Sequence, residues 1–242
     1  MPSLRSLLLL LILASSTGAL SPWDRLLSEV VAPRFFSWFT SSDGVADLHQ
    51  KHVSSSSVQH MIKGSPLASA PDAAKIDFAR SRAGKAVAQF MMAEQRNIGA
   101  WKVDRIVEAA GPEFDAEAER RQLLRRVVSN RVVVFSFVDC PWCLLAKERL
   151  TAVTQSGLLD AGELAVTELE DLGPSGKRLR AAIALTTGRT SMPSVWIDGQ
   201  CIGGYTDGEM PSGEPELCLE GARGLEVLEN SGQLEALLTK LR

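Results

Sequence analysis

Beyond Pro112 the chain alternates between segments of helical period and short β-branched runs, and a sheet covered by helices is the arrangement that buries both. The periods predict a helix over 114–129, a buried strand over 131–138, a helix over 141–155, a strand over 164–169 and a helix over 175–187. Strands over 194–198 and 200–203 form a hairpin about Asp198-Gly199, a strong turn pair, and a closing helix runs over 225–241. The order is α-β-α-β-α-β-β-α, an α/β unit.

The remainder of the chain is less constrained. At 242 residues, 45% of them hydrophobic and 23% charged, it can bury a proper core with room for one domain and appendages or for two small domains. A net charge of −3 lacks the basic excess of a nucleic-acid binder, so nucleic acid is not expected as a partner. The run RRQLLRR at 120–126 reads as a solvated helix face. Residues 1–19 resemble a signal peptide, with Arg5, the apolar LLLLLILA at 7–14 and the small residues of SSTGAL. That apolar run is too short to cross a bilayer, so no stable membrane span is expected after processing. Residues 20–70 are Ser-rich and broken by Pro22, Pro33, Gly44, Gly64 and Pro66, which reads as a linker or transit-like segment. His49, His52 and His60 fall there as solvated loop residues. Residues 71–112 form a helical extension: Ile76, Ala79, Ala83, Val87, Phe90 and Met91 recur at helical steps in one helix. The stretch 97–99 interrupts it, and a shorter helix runs from Trp101 to Ala110 before Gly111-Pro112. Its apolar stripe, with Met91, Met92 and Trp101, reads as packing against a neighbouring element.

Chemistry enters at Cys140-Pro141-Trp142-Cys143, directly after the strand over 131–138. A zinc site would need four ligands, yet Cys201 and Cys218 form no second CxxC pair and no histidine follows residue 60. No metal is expected. A structural disulfide would join residues one turn apart at a helix start and close too short a loop to remove much chain entropy. A redox pair accounts for the details. Cys140 ends the strand loop, Pro141 takes the first helical turn where its missing N–H does no harm, and Cys143 sits one turn in. Helix amides aimed at Cys140 favour its thiolate, the form that attacks disulfides.

With these residues the segment 113–242 resembles the glutaredoxins of the thioredoxin fold, whose active site is usually CPYC or CPFC. The resemblance implies a three-layer fold about a central mixed four-stranded sheet. The family's Thr-Val-Pro element, with a cis proline, resembles Ser191-Met192-Pro193, and its Gly-Gly-x-Thr/Ser-Asp element resembles Gly203-Gly204-Tyr205-Thr206-Asp207. By resemblance, Cys140 is the nucleophile, Cys143 the resolving thiol of a redox-active disulfide, and cis Pro193 shapes the site. Glutathione is then the co-substrate: Met192 and Pro193 hold its cysteinyl part, and Gly204, Thr206 and Asp207 hold its γ-glutamyl end.

The chain departs from the family at three places. Phe137 stands where a Lys usually binds the glycine carboxylate of glutathione, and Arg180 stands where a Gln is common. A cation lost at 137 and gained at 180 assigns that carboxylate to Arg180. The third departure is an insertion over 208–223 that contains Cys218, which, like Cys201, reads as a cysteine without a role. The expected function is reduction of glutathionylated proteins and mixed disulfides with glutathione. Two other readings stay open: an iron–sulfur cluster-binding module, which Pro141 disfavours, and a secretory-pathway disulfide oxidoreductase, suggested by the signal-like start. That start implies entry to the secretory route. The Ser-rich stretch behind it resembles a bipartite plastid presequence, with ER or secretion as the alternative.

Overall fold

A computed structural model describes residues 67–206, 214, 216–221 and 223–239. The signal-like segment, most of the Ser-rich segment and Asp207 lie outside the described residues.

Helix α1 (Asp72–Arg80) carries Asp72 in its first turn and Arg80 in its last, each charge matched to its end of the helix dipole. The sequence period runs on without a break, but the chain does not. Ser81 is extended (φ −68°, ψ 165°) and its hydroxyl accepts from Gly84 N–H at 3.1 Å, starting a second helix, α2 (Arg82–Ala109). A side chain at 84 would put a Cβ 2.1 Å from the Phe78 carbonyl oxygen, so the tight passage between α1 and α2 needs glycine there. The interruption expected at 97–99 is a kink at Ile98 (φ −132°, ψ 17°) within α2. Helix α3 (Ala116–Val127) is capped by Asp115, whose carboxylate accepts from the amides of Glu117 and Ala118, both at 3.0 Å.

The sheet follows. Strand β1 (Val132–Ser136), helix α4 (Pro141–Gln155) and strand β2 (Leu164–Glu168) form a parallel crossover. Helix α5 (Pro174–Thr187) leads to strand β3 (Ser194–Ile197), antiparallel to β1, and strand β4 (Gln200–Gly203) pairs antiparallel with β3. The strand order is β2-β1-β3-β4. Asp198 (φ 49°) and Gly199 (φ 79°) both take the left-handed conformation that a two-residue hairpin of this twist requires. Every residue of β1 and β3 is buried, which requires cover on both faces of the sheet, so the fold is a three-layer α/β arrangement about a mixed four-stranded sheet. The closing helix is two helices, α6 (Leu225–Asn230) and α7 (Gln233–Thr239), because Gly232 turns left-handed (φ 72°) between them.

One core serves both parts of the chain. Phe78, Ala79, Ala83 and Ala88 of α1 and α2 join the same buried cluster as Val132–Phe135 of β1 and Trp196 of β3. A smaller cluster joins Ile106 and Ala110 to Ala181 and Ala184 of α5.

Candidate active site

Register gathers the motifs at one end of the sheet. Phe135 near the end of β1 pairs with Ser194 at the start of β3, and Val195 pairs with Gly203 at the end of β4. A register shift between Val195 and Trp196 lets Gly203 adopt φ 105° as the chain leaves β4. The Cys140 loop, the Pro193 turn and the Gly203-Gly204 turn therefore emerge side by side. The Met192–Pro193 bond is cis.

Cys140 is the residue before α4, with Pro141 in the first turn and the Leu144 amide returning to its carbonyl at 2.9 Å. Its sulfur lies 3.8 Å from the Met192 carbonyl oxygen, so the nucleophile candidate and the cis-proline turn are in contact. Both thiols are free and buried. The Cys143 thiol, donating to Cys140, lowers the Cys140 pKa; burial opposes this, and the backbone amides of Cys143 and Trp142 reinforce it. Cys143 is driven the other way, first by burial and then by its neighbour, and the Phe137 amide, donating to its sulfur at 3.4 Å, only partly offsets this. The pair is thus polarised: one thiol poised to ionise, the other held protonated.

Beside it lies a pocket of about 350 Å³. Phe137, Glu170, Lys177 and Arg180 line it together with Ile106 and Ala109 of α2. The two positions linked by the missing and the gained cation are in contact, since the Arg180 guanidinium stacks over the Phe137 ring with its carbon 5.2 Å from the centroid. Arg180 also donates to the Thr190 carbonyl at 3.4 Å. It is only 7% exposed, and burial lowers its pKa to about 10 against the opposing pull of Glu170. Gly204 and Tyr205 are buried and Thr206 partly so, and the carbonyls of Gly204 and Tyr205 accept from Leu225 and Glu226 at 2.9 and 3.0 Å. These bonds tie the turn to the start of α6. Asp207, the remaining member of that element, lies outside the described residues.

Several residues at the site carry no motif. The Glu170 carboxylate accepts from the Val138 amide at 2.9 Å, lines the pocket, and raises the Cys140 pKa as a lesser influence. Lys75 of α1 pairs with Asp139, next to Cys140, at 2.6 Å, and Arg80 pairs with Glu148. The Phe78 ring meets Trp142 of the CxxC edge-on, centroids 6.0 Å apart, and Trp142 is left 3% exposed. Gln95 of α2 accepts from the Thr190 amide (3.2 Å) and hydroxyl (2.6 Å) and donates to the Gly188 carbonyl (2.8 Å). The helices ahead of the sheet thus brace both the CxxC helix and the loop before Pro193. Their apolar stripe announced packing, and nothing local to it named the partner.

Cys201 and Cys218 are not isolated. They face each other across a parallel β-bridge between β4 and the inserted segment, with their thiols hydrogen-bonded.

No protein-family model matches the chain. It is 37% identical over 78 residues to a glutaredoxin of Ricinus communis, covering 32% of this chain and 69% of that protein. It is 33% identical over 102 residues to the chloroplastic glutaredoxin-C5 of Arabidopsis thaliana, covering 41% of this chain and 55% of that one. It spans about half the length of that protein and of a second chloroplastic relative from rice, at 55% of each. Among solved structures, wheat glutaredoxin is 28% identical over 52% of this chain and 97% of its own, with a TM-score of 0.39.

Proposed function

Because the chain belongs to the glutaredoxin family, a family of thiol oxidoreductases, we propose that it reduces protein–glutathione mixed disulfides, and other small mixed disulfides, through Cys140 and Cys143. The observation that carries this reading is the placement of the pair, with Cys140 at the head of α4 and 3.8 Å from the carbonyl of the cis Met192–Pro193 turn and Cys143 buried beside it, an arrangement that lowers the Cys140 pKa and raises that of Cys143. The Cys140 thiolate attacks the glutathione sulfur of a mixed disulfide. The sulfur–sulfur bond between glutathione and the substrate protein breaks, the protein thiolate leaves and takes a proton from solvent, and a Cys140–glutathione disulfide remains. A glutathione thiolate then attacks the glutathione sulfur of that adduct, releasing glutathione disulfide and restoring the Cys140 thiolate. With a substrate that stays attached to Cys140 as a mixed disulfide, Cys143 loses its proton and attacks the Cys140 sulfur, expelling the substrate thiolate and giving the Cys140–Cys143 disulfide, which two glutathione molecules reduce as they become glutathione disulfide.

Glutathione lies across the end of the sheet in this reading. Its cysteinyl part pairs with the backbone of Met192 beside Pro193, as an added strand would. Its γ-glutamyl end meets Gly204, Thr206 and Asp207, and its glycine carboxylate meets Arg180 in the pocket beside Phe137, where a guanidinium can offer two parallel hydrogen bonds. The chloroplastic relatives from Arabidopsis and rice support a plastid destination. Residues 1–70 fused to a fluorescent protein should direct it to plastids, and fluorescence confined to ER or medium would oppose that.

Glutathione-coupled reduction of a protein–glutathione mixed disulfide by the full chain tests the activity. Cys140→Ser should abolish turnover and Cys143→Ser should retain it, since free glutathione can resolve the adduct. Equal loss in both variants, or the reverse order, would overturn the assignment.

A further inference from the structure

The inserted segment places a second dithiol behind the glutathione-facing turn. Cys201, fully buried in β4, donates its amide to the Leu217 carbonyl at 2.7 Å and accepts from the Leu219 amide at 2.9 Å. Bonds to the residues on either side of 218 put Cys218 directly opposite Cys201. Neighbouring strands lie roughly 4.7–4.9 Å apart, and disulfides join Cα atoms about 4.4–6.8 Å apart. In a parallel pair, side chains opposite each other point to the same face, so the two sulfurs are within bonding reach without a change of backbone course.

The two thiols differ as the CxxC thiols do. Cys218 is partly exposed, and its pKa falls to about 7, first through the hydrogen bond from the Cys201 thiol, with the Arg189 guanidinium contributing a favourable charge against the cost of burial. Cys201 is raised by that same bond and by burial. One thiol is reachable and ionises near neutral pH; its partner waits beneath it.

We propose that Cys201 and Cys218 form a reversible second disulfide that records the oxidation state of the surrounding low-molecular-weight thiol pool. The Cys218 thiolate attacks glutathione disulfide; a Cys218–glutathione bond forms and one glutathione thiolate leaves. Cys201 gives up its proton and attacks the Cys218 sulfur, expelling a second glutathione and closing the protein disulfide. Two protein thiols are oxidised and one glutathione disulfide is reduced to two glutathione molecules. The bond staples the inserted segment to β4, next to Gly203-Gly204. The proposal does not depend on the activity of Cys140.

The test uses the full wild-type chain, equilibrated in buffers of increasing glutathione disulfide to glutathione ratio, alkylated and cut with trypsin. Residues 190–223 contain no internal Lys or Arg, so Cys201 and Cys218 share one peptide, while Cys140 and Cys143 share another over 132–147. As the ratio rises, the 190–223 peptide should lose both alkyl groups and appear lighter than its dithiol form by two hydrogens. Glutathione reduction should reverse this. A Cys201→Ser chain should instead accumulate glutathione on Cys218. The proposal is overturned if the wild-type peptide stays doubly alkylated at the oxidising limit, or if it stops at a stable glutathione adduct.

Discussion

The CxxC at the head of α4 and the Cys201/Cys218 pair across the β-bridge reach the same polarisation by different means. In both, one thiol is lowered by a hydrogen bond from its partner, and the partner is raised by burial and by that same bond. At Cys140 the additional support is backbone, the amides of Trp142 and Cys143. At Cys218 it is a single side chain, Arg189. Backbone support survives almost any side-chain change, although the Glu170 carboxylate still pulls the Cys140 pKa upward as a lesser influence. The bridge pair depends on one guanidinium and on the inserted segment keeping its place. A turnover site benefits from the first kind of construction and a sensor tolerates the second.

The largest expected effect separates the pairs outright. Cys140→Ser should eliminate glutathione-coupled turnover, whereas Cys218→Ser should leave initial rates within about twofold in reducing buffer, where the second pair is a dithiol. Comparable losses in the two variants would break the distinction.

The next effect concerns access. Cys140 and Trp142 are both buried, and Phe78 of α1 lies against the Trp142 ring. Removing a buried aromatic costs about 3–5 kcal/mol, so Phe78→Ala should lower the denaturant midpoint and speed alkylation of Cys140 in the native protein. Cys218 alkylation should not change. Equal acceleration at both cysteines would mean general loosening, not loss of a cover over the CxxC.

How far these contrasts could be read from sequence differs between the pairs. CPWC announces itself because strand, proline and helix are all local to it, whereas the cis proline at 193 and the Gly203-Gly204 turn are legible only through their resemblance to the glutaredoxin elements. Arg180 follows from counting back from Pro193 to the position where the family commonly has Gln, but its burial and its contact with the Phe137 ring are not legible there. Cys201 and Cys218 looked separate because an isolated bridge inside an insertion has no period, and what joins them is two backbone hydrogen bonds. The break at Ser81 was hidden by an apolar period that continues in phase across it. Glu170 and Gln95 are polar residues outside any motif, and their roles come from the tertiary fold alone.

A third effect tests the displaced cation. Hydrogen bonds to charged groups contribute about 1.5–3 kcal/mol, so Arg180→Ala should reduce kcat/KM for glutathione substrates by roughly tenfold to a hundredfold. Adding Phe137→Lys to that variant should restore part of the loss, because either cation reaches the same pocket. Reactivity of Cys140 toward a disulfide lacking the carboxylate should change little. Wild-type glutathione kinetics in Arg180→Ala at low salt would pass the role to Lys177, which lines the same pocket.

The smallest effect addresses the side-chain support. Arg189→Ala should move the midpoint of Cys218 alkylation upward from about 7 by roughly one pH unit or less, and Arg189→Lys should largely restore it. The Cys140 profile should stay put. A matching shift at Cys140 would show that one cation serves both pairs.

The most direct test of the central claim, that the start of α4 and the Cys143 thiol stabilise a reactive Cys140 thiolate, is the pH profile of alkylation at each cysteine of the CxxC in the reduced wild-type chain, resolved by peptide mass. A lowered pKa means that the thiolate is already populated below the ordinary thiol range and that the rate levels off once pH exceeds that lowered value. Cys140 should therefore show a midpoint below that of an ordinary cysteine thiol, while Cys143 stays unreactive until well above it. A Cys140 midpoint at or above that value, or labelling of Cys143 ahead of Cys140, would contradict the account.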